Sequence, residues 1–306
     1  MLFRIASRIT CCSCVAFAVA TLSVPAHSQT QAACSFTFFQ TDFPNSMVLT
    51  PEGINDYSTV VGSTTKNTAF LRWSNGGLIF PKGLTDLVTR NNRGEGAGYD
   101  LKHHTVTVER NGAISPAPLI IGSTTYNTFG IGTMNLYGTI GGWFTDSSGK
   151  THGVRRFFGF GGEVLDFPGA NISGTFVNAL NSPGQFVGTV IGKIPNHPGM
   201  QHGFFHRNSQ WEVVDFPTSA GSQPARTTLV GLTESATVAV GNAFLDPNSQ
   251  VSTPFLYKNG AFEVISPPGM ASPRVTGMSL KHGLIVGWGY PPQGLHPQQG
   301  FIAQCN

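Results

Sequence analysis

The sequence predicts an all-β protein, a six-bladed β-propeller of four-stranded antiparallel blades in which the N-terminal strand completes the last blade. Three observations predict this fold. Charged residues make up only 11% of the 306 residues, whereas Gly (38), Pro (20) and Phe (23) are abundant, as expected for short strands joined by many tight turns. One strand-and-turn motif recurs six times along the chain. Two cysteines near the ends of the repeat region are positioned to close the last blade with a disulfide bond.

The first 28 residues are predicted to be a signal peptide. Two arginines precede an apolar run over residues 9–24, and the small residues Ala26 and Ser28 follow it. The run is shorter than the roughly 20 residues of a membrane-spanning helix. We therefore expect cleavage after Ser28, a secreted protein in the periplasm or outside the cell, and no membrane span in the mature chain.

The charge of the chain bears on its partners. The net charge of the whole chain is +3, and it falls to about +1 without the two arginines of the signal peptide. A nearly neutral surface argues against nucleic acid, which requires clustered Lys and Arg. We expect a monomer.

The repeat is clearest over residues 177–217, where short strands alternate with turns rich in Gly, Asn, Ser and Pro. Four residues before the repeat's anchor glycine, the turn position is Gly in four copies. Seven residues before it, the first four copies have Asn, and we expect these Asn and Gly residues to suit a turn with positive φ. The anchor glycines are Gly62, Gly98, Gly142, Gly188, Gly241 and Gly287.

The repeats predict a single domain over residues 33–306. Five or seven blades stay open as alternatives because residues 84–130 are irregular. The sixth copy ends after its third strand, and the strand at residues 36–44 has no repeat of its own. Its Asp-Phe-Pro ending matches the fourth strands of other copies at residues 166–168 and 215–217. The N-terminal strand can thus complete the last sheet and leave no open edge.

The cysteines support the same closure. Three of the five cysteines lie in the predicted signal peptide, which leaves Cys34 and Cys305. Alignment of the copies places these two residues beside the turn that joins the third and fourth strands of an intact blade. An exported protein with two cysteines is expected to join them by a disulfide. The alternative is two unrelated free thiols.

Four short motifs recur in order along the repeats. They are Gly53-Ile54-Asn55, Ile285-Val286-Gly287, His202-Gly203-Phe204 and Asp166-Phe167-Pro168-Gly169. With these motifs the repeat units resemble the HAF repeats of bacterial extracellular proteins. The similarity spans residues 34–306 and implies a secreted, propeller-like repeat protein, with no catalytic residues to transfer.

An aromatic residue directly follows the anchor glycine in three copies, at Tyr99, Trp143 and Trp288. Equivalent positions lie on one ring of a propeller, so these residues are our candidate ligand-binding residues. Aromatic side chains supply large rigid surfaces that can stack on sugar rings. The alternative is that they pack between neighbouring blades.

Other polar residues offer weaker candidates. His202 and His206 could bind zinc on a helix, but they lie on a predicted strand, which separates their side chains, so we expect structural roles. The loops at Asp146 and Asp246 could donate oxygens to calcium, but neither holds a full ligand set, and ordinary turn chemistry is favoured. We therefore predict no cofactor.

These observations favour a secreted, non-enzymatic binding module for a glycan or a surface protein. The first alternative is a hydrolase or lyase that acts on extracellular polysaccharides at the central channel of the propeller. The second is a purely structural envelope protein. Residues off the repeat pattern that could serve an enzyme are His103, His104, Arg155, Arg156 and His206.

Overall fold

The computed structural model describes residues 30–43, 47–100, 105–157, 161–218, 225–246, 251–291 and 298–306. Within these residues the regular elements are strands, with no α-helix, which confirms the predicted all-β fold. No helix long and apolar enough to cross a membrane occurs in the described part of the chain. The predicted signal peptide lies outside the described residues.

The strands form four-stranded antiparallel units, and within units one to five the four strands pair in the order of the chain. Unit one consists of Met47–Ile54, Val60–Thr64, Ala69–Arg72 and Leu78–Ile79. Unit two consists of Asp86–Arg90, Gly96–Asp100, Thr105–Arg110 and Ala113–Pro116. The short strand Asp42–Phe43 extends the sheet of unit one.

Units three and four belong to one continuous sheet, joined by a parallel bridge between Thr151 and Gly174. Unit three consists of Gly130–Met134, Ile140–Thr145, Thr151–Phe157 and Gly161–Val164. Unit four consists of Ile172–Leu180, Phe186–Gly192, Gln201–Arg207 and Gln210–Val214. A separate hairpin precedes unit three and consists of Leu119–Ile121 and Thr124–Tyr126. The irregular stretch noted in the sequence thus contains unit two and this hairpin.

Units five and six both include strands from the N-terminal region. Unit five consists of Arg226–Leu232, Val238–Phe244, Thr253–Lys258 and Ala261–Val264, with Thr30–Gln31 added in parallel. Unit six consists of Ala271–Met278, Ile285–Tyr290, Gln299–Cys305 and the N-terminal strand Cys34–Gln40. The N-terminal strand therefore pairs with the last strand of the chain, as the repeat pattern predicts.

Each unit packs against the next one in the chain, mainly through its first two strands. The first strand of unit one also packs against the first two strands of unit six. Sheets that contact one another in chain order, with the last against the first, are typical of β-propellers.

The anchor glycines mark a close approach between the first and second strands of each unit. A Cβ atom at Gly188 would lie 1.8 Å from the Phe176 carbonyl oxygen, and one at Gly142 would lie 1.9 Å from that of Gly130. The other anchor glycines have the same contact, at 2.0–2.3 Å. A side chain cannot fit at such distances, which explains why the sequence repeats a glycine there.

Fully buried phenylalanines lie beside these glycines. Phe204 pairs with Gly188 across the strands, and its ring would contact a Cβ atom there at 2.9 Å. The same third-strand position holds Phe70, Phe255 and Phe301 in units one, five and six. The glycine and phenylalanine of the repeat thus form one packing unit in the core.

A girdle of hydrogen bonds runs from unit to unit through the turns between first and second strands. Asn91 Nδ2 donates to the Asn135 carbonyl oxygen at 3.1 Å, and Asn135 Nδ2 donates to that of Asn181 at 3.1 Å. Asn55 Nδ2 donates in the same way to Asn91 at 3.4 Å, and Asn181 Nδ2 donates to Glu234 at 3.0 Å. We call this set the asparagine girdle.

Backbone groups complete the girdle where the sequence lacks asparagine. The Glu234 amide donates to the Leu280 carbonyl oxygen at 2.6 Å. The amides of Lys281 and His282 donate to Asp56 Oδ1 at 2.9 and 3.0 Å, which links unit six to unit one. The girdle therefore passes through every unit and returns to its start.

The asparagines do not adopt the positive φ that we expected of them. Positive φ occurs at Gly94, Gly138, Gly184, Gly283 and Ser58 of these turns. In unit five it occurs at Ala236, one residue before the position that our alignment indicated. The asparagines recur because their side chains satisfy two partners. Their Oδ1 atoms accept amides of their own turn, and their Nδ2 groups donate to the next unit.

The predicted disulfide is confirmed. Cys34 and Cys305 are bonded and directly opposite in the sheet of unit six. Unit four has a tight turn at this place, with positive φ at Asn208 and Ser209. The bond thus replaces the one covalent connection that unit six lacks.

Candidate functional site

A β-bulge in every first strand shapes the centre of the molecule. In unit one the register shifts between Pro51 and Gly53, which leaves Glu52 unpaired. Corresponding shifts in the other units occur at Val88, Gly132, Asn178, Val230 and Thr276. All of these bulge residues line one cavity of about 380 Å³. The first strands therefore surround a common central space.

The two candidate tryptophans lie on the wall of this central cavity. Trp143 is half-buried and lies flat against Gly130, where a Cβ atom would come within 2.1 Å of the indole. Its ring also packs 5.5 Å from that of Phe176. Trp288 is half-buried and meets Tyr290 edge-on, with ring centroids 5.8 Å apart. Both indoles are held by packing and still present surface to the cavity.

Tyr99, the third candidate, does not line the cavity and instead bridges two units. Its hydroxyl donates to the Phe129 carbonyl oxygen at 3.2 Å and accepts the Ile131 amide at 2.7 Å. Burial raises its pKa to about 12. For Tyr99 the geometry matches packing between neighbouring units, which the sequence left open as the alternative.

A pair of carboxyl groups joins units one and two, and one of its members, Glu52, lies on the cavity wall. Glu52 lines the cavity and is hydrogen-bonded to Asp86 and to Ser63, whose Oγ donates at 2.9 Å. Burial, with the negative charge of Asp86, raises the pKa of Glu52 to about 8. Burial raises the pKa of Asp86 to about 6. Burial therefore favours the neutral form of both carboxyl groups, and the negative charge of one disfavours ionisation of the other.

The other charged residue on the wall is Arg274 of unit six. It lies directly opposite Trp288 in the sheet, so both side chains point to the same face. Its guanidinium is 5.8 Å from the Phe244 ring centroid. Asn178 completes the polar wall and donates to Thr189 Oγ1 at 3.1 Å and to the Leu229 carbonyl oxygen at 2.8 Å.

Of the residues named for a possible enzyme, Arg155, Arg156 and His206 are described, and none of these three lines the cavity. Arg155 pairs with Glu163 at 2.7 Å, and Arg156 Nε donates to the Pro118 carbonyl oxygen at 2.8 Å. His206 stacks on Phe186, with ring centroids 4.4 Å apart. His103 and His104 lie outside the described residues.

The repeat histidines pair with the repeat aspartates. His202 is fully buried and its Nδ1 lies 2.8 Å from Asp215 Oδ1, while His197 Nδ1 lies 2.8 Å from Asp215 Oδ2. His152 Nδ1 lies 2.8 Å from Asp166 Oδ2 in unit three. The His202 and His152 pairs tie the third strand to the end of the fourth, which is the structural role expected of His202, and His197 adds a contact from the loop before the third strand.

The loop at Asp146 shows turn chemistry. Asp146 Oδ1 accepts the amides of Ser148 and Lys150 at 2.8 and 3.0 Å, and the Ser148 hydroxyl at 2.6 Å. These hydrogen bonds, with that from His152, hold the pKa of Asp146 well below its usual range. Among the described residues no group of three or more His, Cys, Asp or Glu is arranged to hold a metal ion. Residues 247–250, which follow Asp246, are not described.

Sequence reasoning found the tryptophans of the cavity but missed Glu52, Asp86, Asn178 and Arg274. For the bulge residues Glu52 and Asn178 the available signal is their distance to the anchor glycine. Each bulge residue precedes its glycine by ten or eleven positions, and a polar residue there faces the cavity. The bulge itself could not be seen without the strand pairing.

Comparisons with known proteins identify the fold alone. No family model matches the chain, and no curated protein matches it. AofleA from Arthrobotrys oligospora is similar in structure, with 10% identity over 91% of this chain and 90% of its own, and a TM-score of 0.50.

Two further solved structures have lower TM-scores. The virginiamycin B lyase from Staphylococcus aureus has 12% identity over 89% of this chain and 100% of its own, with a TM-score of 0.47. The β-propeller domain of the Trilobed protease from Pyrococcus furiosus has 10% identity over 86% and 94%, with a TM-score of 0.42. These proteins differ in function from one another.

Proposed function

We propose that the chain is a six-bladed β-propeller that works as a secreted, non-enzymatic glycan-binding module. The observation that carries the proposal is the pair of half-buried tryptophans, Trp143 and Trp288, on the wall of one central cavity of about 380 Å³. A cavity of this volume matches the usual size of small-molecule sites. Rigid indole surfaces beside a few polar groups suit a sugar ring, which has both apolar faces and hydroxyl edges.

Three features support the six-bladed ring. The bulge residues of units one to six line one cavity, the asparagine girdle runs through the same units, and unit six packs against unit one. The HAF-repeat relationship is part of this proposal. Its Gly-Ile-Asn motif includes Asn55 of the girdle, and its Val-Gly motif includes the anchor glycine Gly287.

Secretion is supported by the disulfide between Cys34 and Cys305. Disulfides form and persist in oxidising compartments outside the cytoplasm. Fractionation of cells that express the full chain tests this point. Mature protein that begins after Ser28, in the periplasm or the medium, is the expected result.

The binding proposal is tested with a glycan array, followed by calorimetric titration of each glycan that binds. Trp143→Ala and Trp288→Ala should each weaken binding roughly tenfold or more, because truncation of a central tryptophan typically costs on the order of 2 kcal/mol. Trp73→Ala is the matched control, since Trp73 is exposed and lies away from the cavity. Unchanged affinity in both cavity variants would contradict the proposal. Binding of a surface protein at another site would favour that partner instead.

A second function has one specific observation in its favour. The Glu52–Asp86 pair holds two carboxyl groups whose pKa values are both raised by burial, and Glu52 lies on the cavity wall. Such pairs are used as general acid and base by hydrolases and lyases. Incubation of the protein with a bound polysaccharide, followed by analysis of chain length, tests this alternative. Shortening by the wild type that is lost in Glu52→Gln would establish an enzyme, and absence of both binding and turnover would favour a structural envelope protein.

A further inference from the structure

The central cavity has an uneven charge. Its wall is formed mainly by apolar and neutral polar side chains, and the charged residue types on it are Glu52 and Arg274. Burial and the negative charge of Asp86 raise the pKa of Glu52, which favours its neutral form. Asp86 is not on the wall. Among the described residues that line the cavity, Arg274 is the one that carries a positive charge.

Arg274 differs in its partners from four other arginines of this protein. Arg90, Arg110, Arg155 and Arg207 each form an ion pair with a glutamate, at 2.6–2.9 Å. Arg274 has no ion pair within the described residues, and its guanidinium lies over the Phe244 ring. An arginine without a carboxylate partner at the wall of a cavity is available to bind an anion from solution.

The position of Trp288 indicates what carries that anion. Arg274 and Trp288 are direct cross-strand partners on adjacent strands of unit six, and both line the cavity. Opposite residues in an antiparallel pair have their Cβ atoms roughly 5 Å apart. This is about the width of a sugar ring, so a ring stacked on the indole would hold a substituent within reach of the guanidinium. Guanidinium binds a carboxylate through two parallel hydrogen bonds.

We propose that the cavity selects a glycan containing hexuronic acid, with the sugar ring stacked on Trp288 and its carboxylate bound by Arg274. This inference rests on the proposed glycan-binding function and adds the chemical class of the sugar. Asn178 and the bulge residue Thr276 provide neutral hydrogen-bonding groups for the sugar hydroxyls.

The test compares matched acidic and neutral ligands. Oligomers of glucuronic, galacturonic and mannuronic acid are titrated into the full mature protein, together with the same oligomers after reduction of their carboxyl groups. At least one acidic oligomer should bind about tenfold or more tightly than its reduced counterpart. Equal affinity for each acidic oligomer and its reduced form would overturn the inference and leave glycan binding in place. Failure of all glycans to bind would instead refute the proposed function itself.

Variants assign the selectivity to the arginine. Arg274→Gln should weaken binding of the acidic oligomer about tenfold and leave the reduced oligomer unaffected, and Arg274→Lys should fall between the two. Arg226→Gln is the matched control, because the Arg226 guanidinium also lies over Phe244, at 4.9 Å, but is not on the cavity wall. An equal loss for both oligomers in Arg274→Gln would show a structural role and overturn the inference. Tighter binding of a sulfated neutral oligomer than of the uronate would identify sulfate as the ligand anion instead.

Discussion

The two ends of the central channel are built on different principles. At one end the asparagine girdle links neighbouring turns through hydrogen bonds that are nearly the same in units one to four. At the other end the bulge residues form a cavity of about 380 Å³ in which no two neighbouring units present the same side chain. A separate, smaller cavity of about 20 Å³ is lined by Ile54, Leu232 and Leu280 together with the bulge residue Glu52.

This difference separates the girdle residues, which hold neighbouring units together, from the bulge residues, which can contact a ligand. A girdle residue must satisfy its own turn and the next unit, so its identity repeats. A bulge residue contributes its side chain to the cavity, and the strand pairing does not depend on its identity. We therefore expect changes at the girdle end to lower stability with little effect on binding, and changes at the cavity end to do the reverse.

Loss of the disulfide is expected to have the largest effect on stability. The bond closes a loop of 271 residues on the girdle side of unit six, and on the chain-entropy model such a loop is worth roughly 5 kcal/mol. The double variant Cys34→Ser, Cys305→Ser should lower the thermal midpoint by about 10 °C or more in calorimetry. Glycan affinity at 25 °C should be retained. An unchanged midpoint would show that the strand pairing alone holds the ring.

An alanine at an anchor glycine tests whether stability and binding can be changed separately near the cavity. The anchor glycine packs against the first strand, which carries the bulge, but it does not line the cavity. Gly188→Ala should destabilise the protein by about 3 kcal/mol or more, since its Cβ would lie 1.8 Å from the Phe176 carbonyl oxygen. Urea titration measures the change. Gly149→Asn is the control, because no atom lies within 4 Å of a Cβ there and Asn tolerates its φ of 86°. Equal stability of the two variants would mean that the bulge can relax.

The carboxyl pair predicts a dependence of stability on pH. Folding raises the pKa of Glu52 from 4.5 to about 8. The contribution of Glu52 to the free energy of unfolding should therefore be fully present below pH 4.5 and be lost as the pH rises towards 8. Glu52→Gln should remove the fall between pH 6 and 8 and gain about 2 kcal/mol at pH 8.5 relative to the wild type. Thermal midpoints at pH 6 and 8.5 measure this. Glu163→Gln, at an exposed glutamate, is the control and should keep the wild-type dependence of the thermal midpoint on pH. If Glu52→Gln also keeps that dependence, Glu52 is not the group that causes it.

A single girdle residue should have the smallest of these effects. Asn135→Ala removes a buried side chain that bridges units three and four, and should cost about 1–2 kcal/mol. Tyr137→Ala in the same turn is the control, because Tyr137 is 65% exposed and should change stability by less than about 0.5 kcal/mol. Both variants should bind glycan like the wild type. A loss of binding in Asn135→Ala alone would show that the girdle and the cavity are coupled.

Most of the fold could be predicted from the sequence because the same glycine, turn and strand positions recur in each copy of the repeat. The all-β fold, the pairing of the N-terminal strand with the last strand, and the disulfide are confirmed. The sequence predicted positive φ at the turn asparagines, and this prediction is wrong. They recur because their side chains donate hydrogen bonds to the next unit. A side-chain partner in a neighbouring unit, 36–53 residues away, leaves no local signal.

The candidate site was predictable only in part. Trp143 and Trp288 could be found because both follow an anchor glycine, yet Tyr99 at the same repeat position bridges two units instead. The same residue class at one repeat position thus has two environments. The Tyr99 hydroxyl bonds to backbone groups of the next unit, whereas Trp143 packs on the ring of Phe176.

The sequence alone determined the strand repeat and the closure of the last sheet, because the residues that these features require can be recognised in the sequence. A glycine is required wherever a carbonyl group approaches within about 2 Å of its Cβ position, and two cysteines mark the open end of one sheet. Only the tertiary structure decided which residues face the cavity and how they ionise. A bulge changes which face a side chain joins, and the pKa of Glu52 depends on burial and on a carboxylate supplied by the next unit. Both effects arise from strand register and packing between units, which exist only in the folded chain.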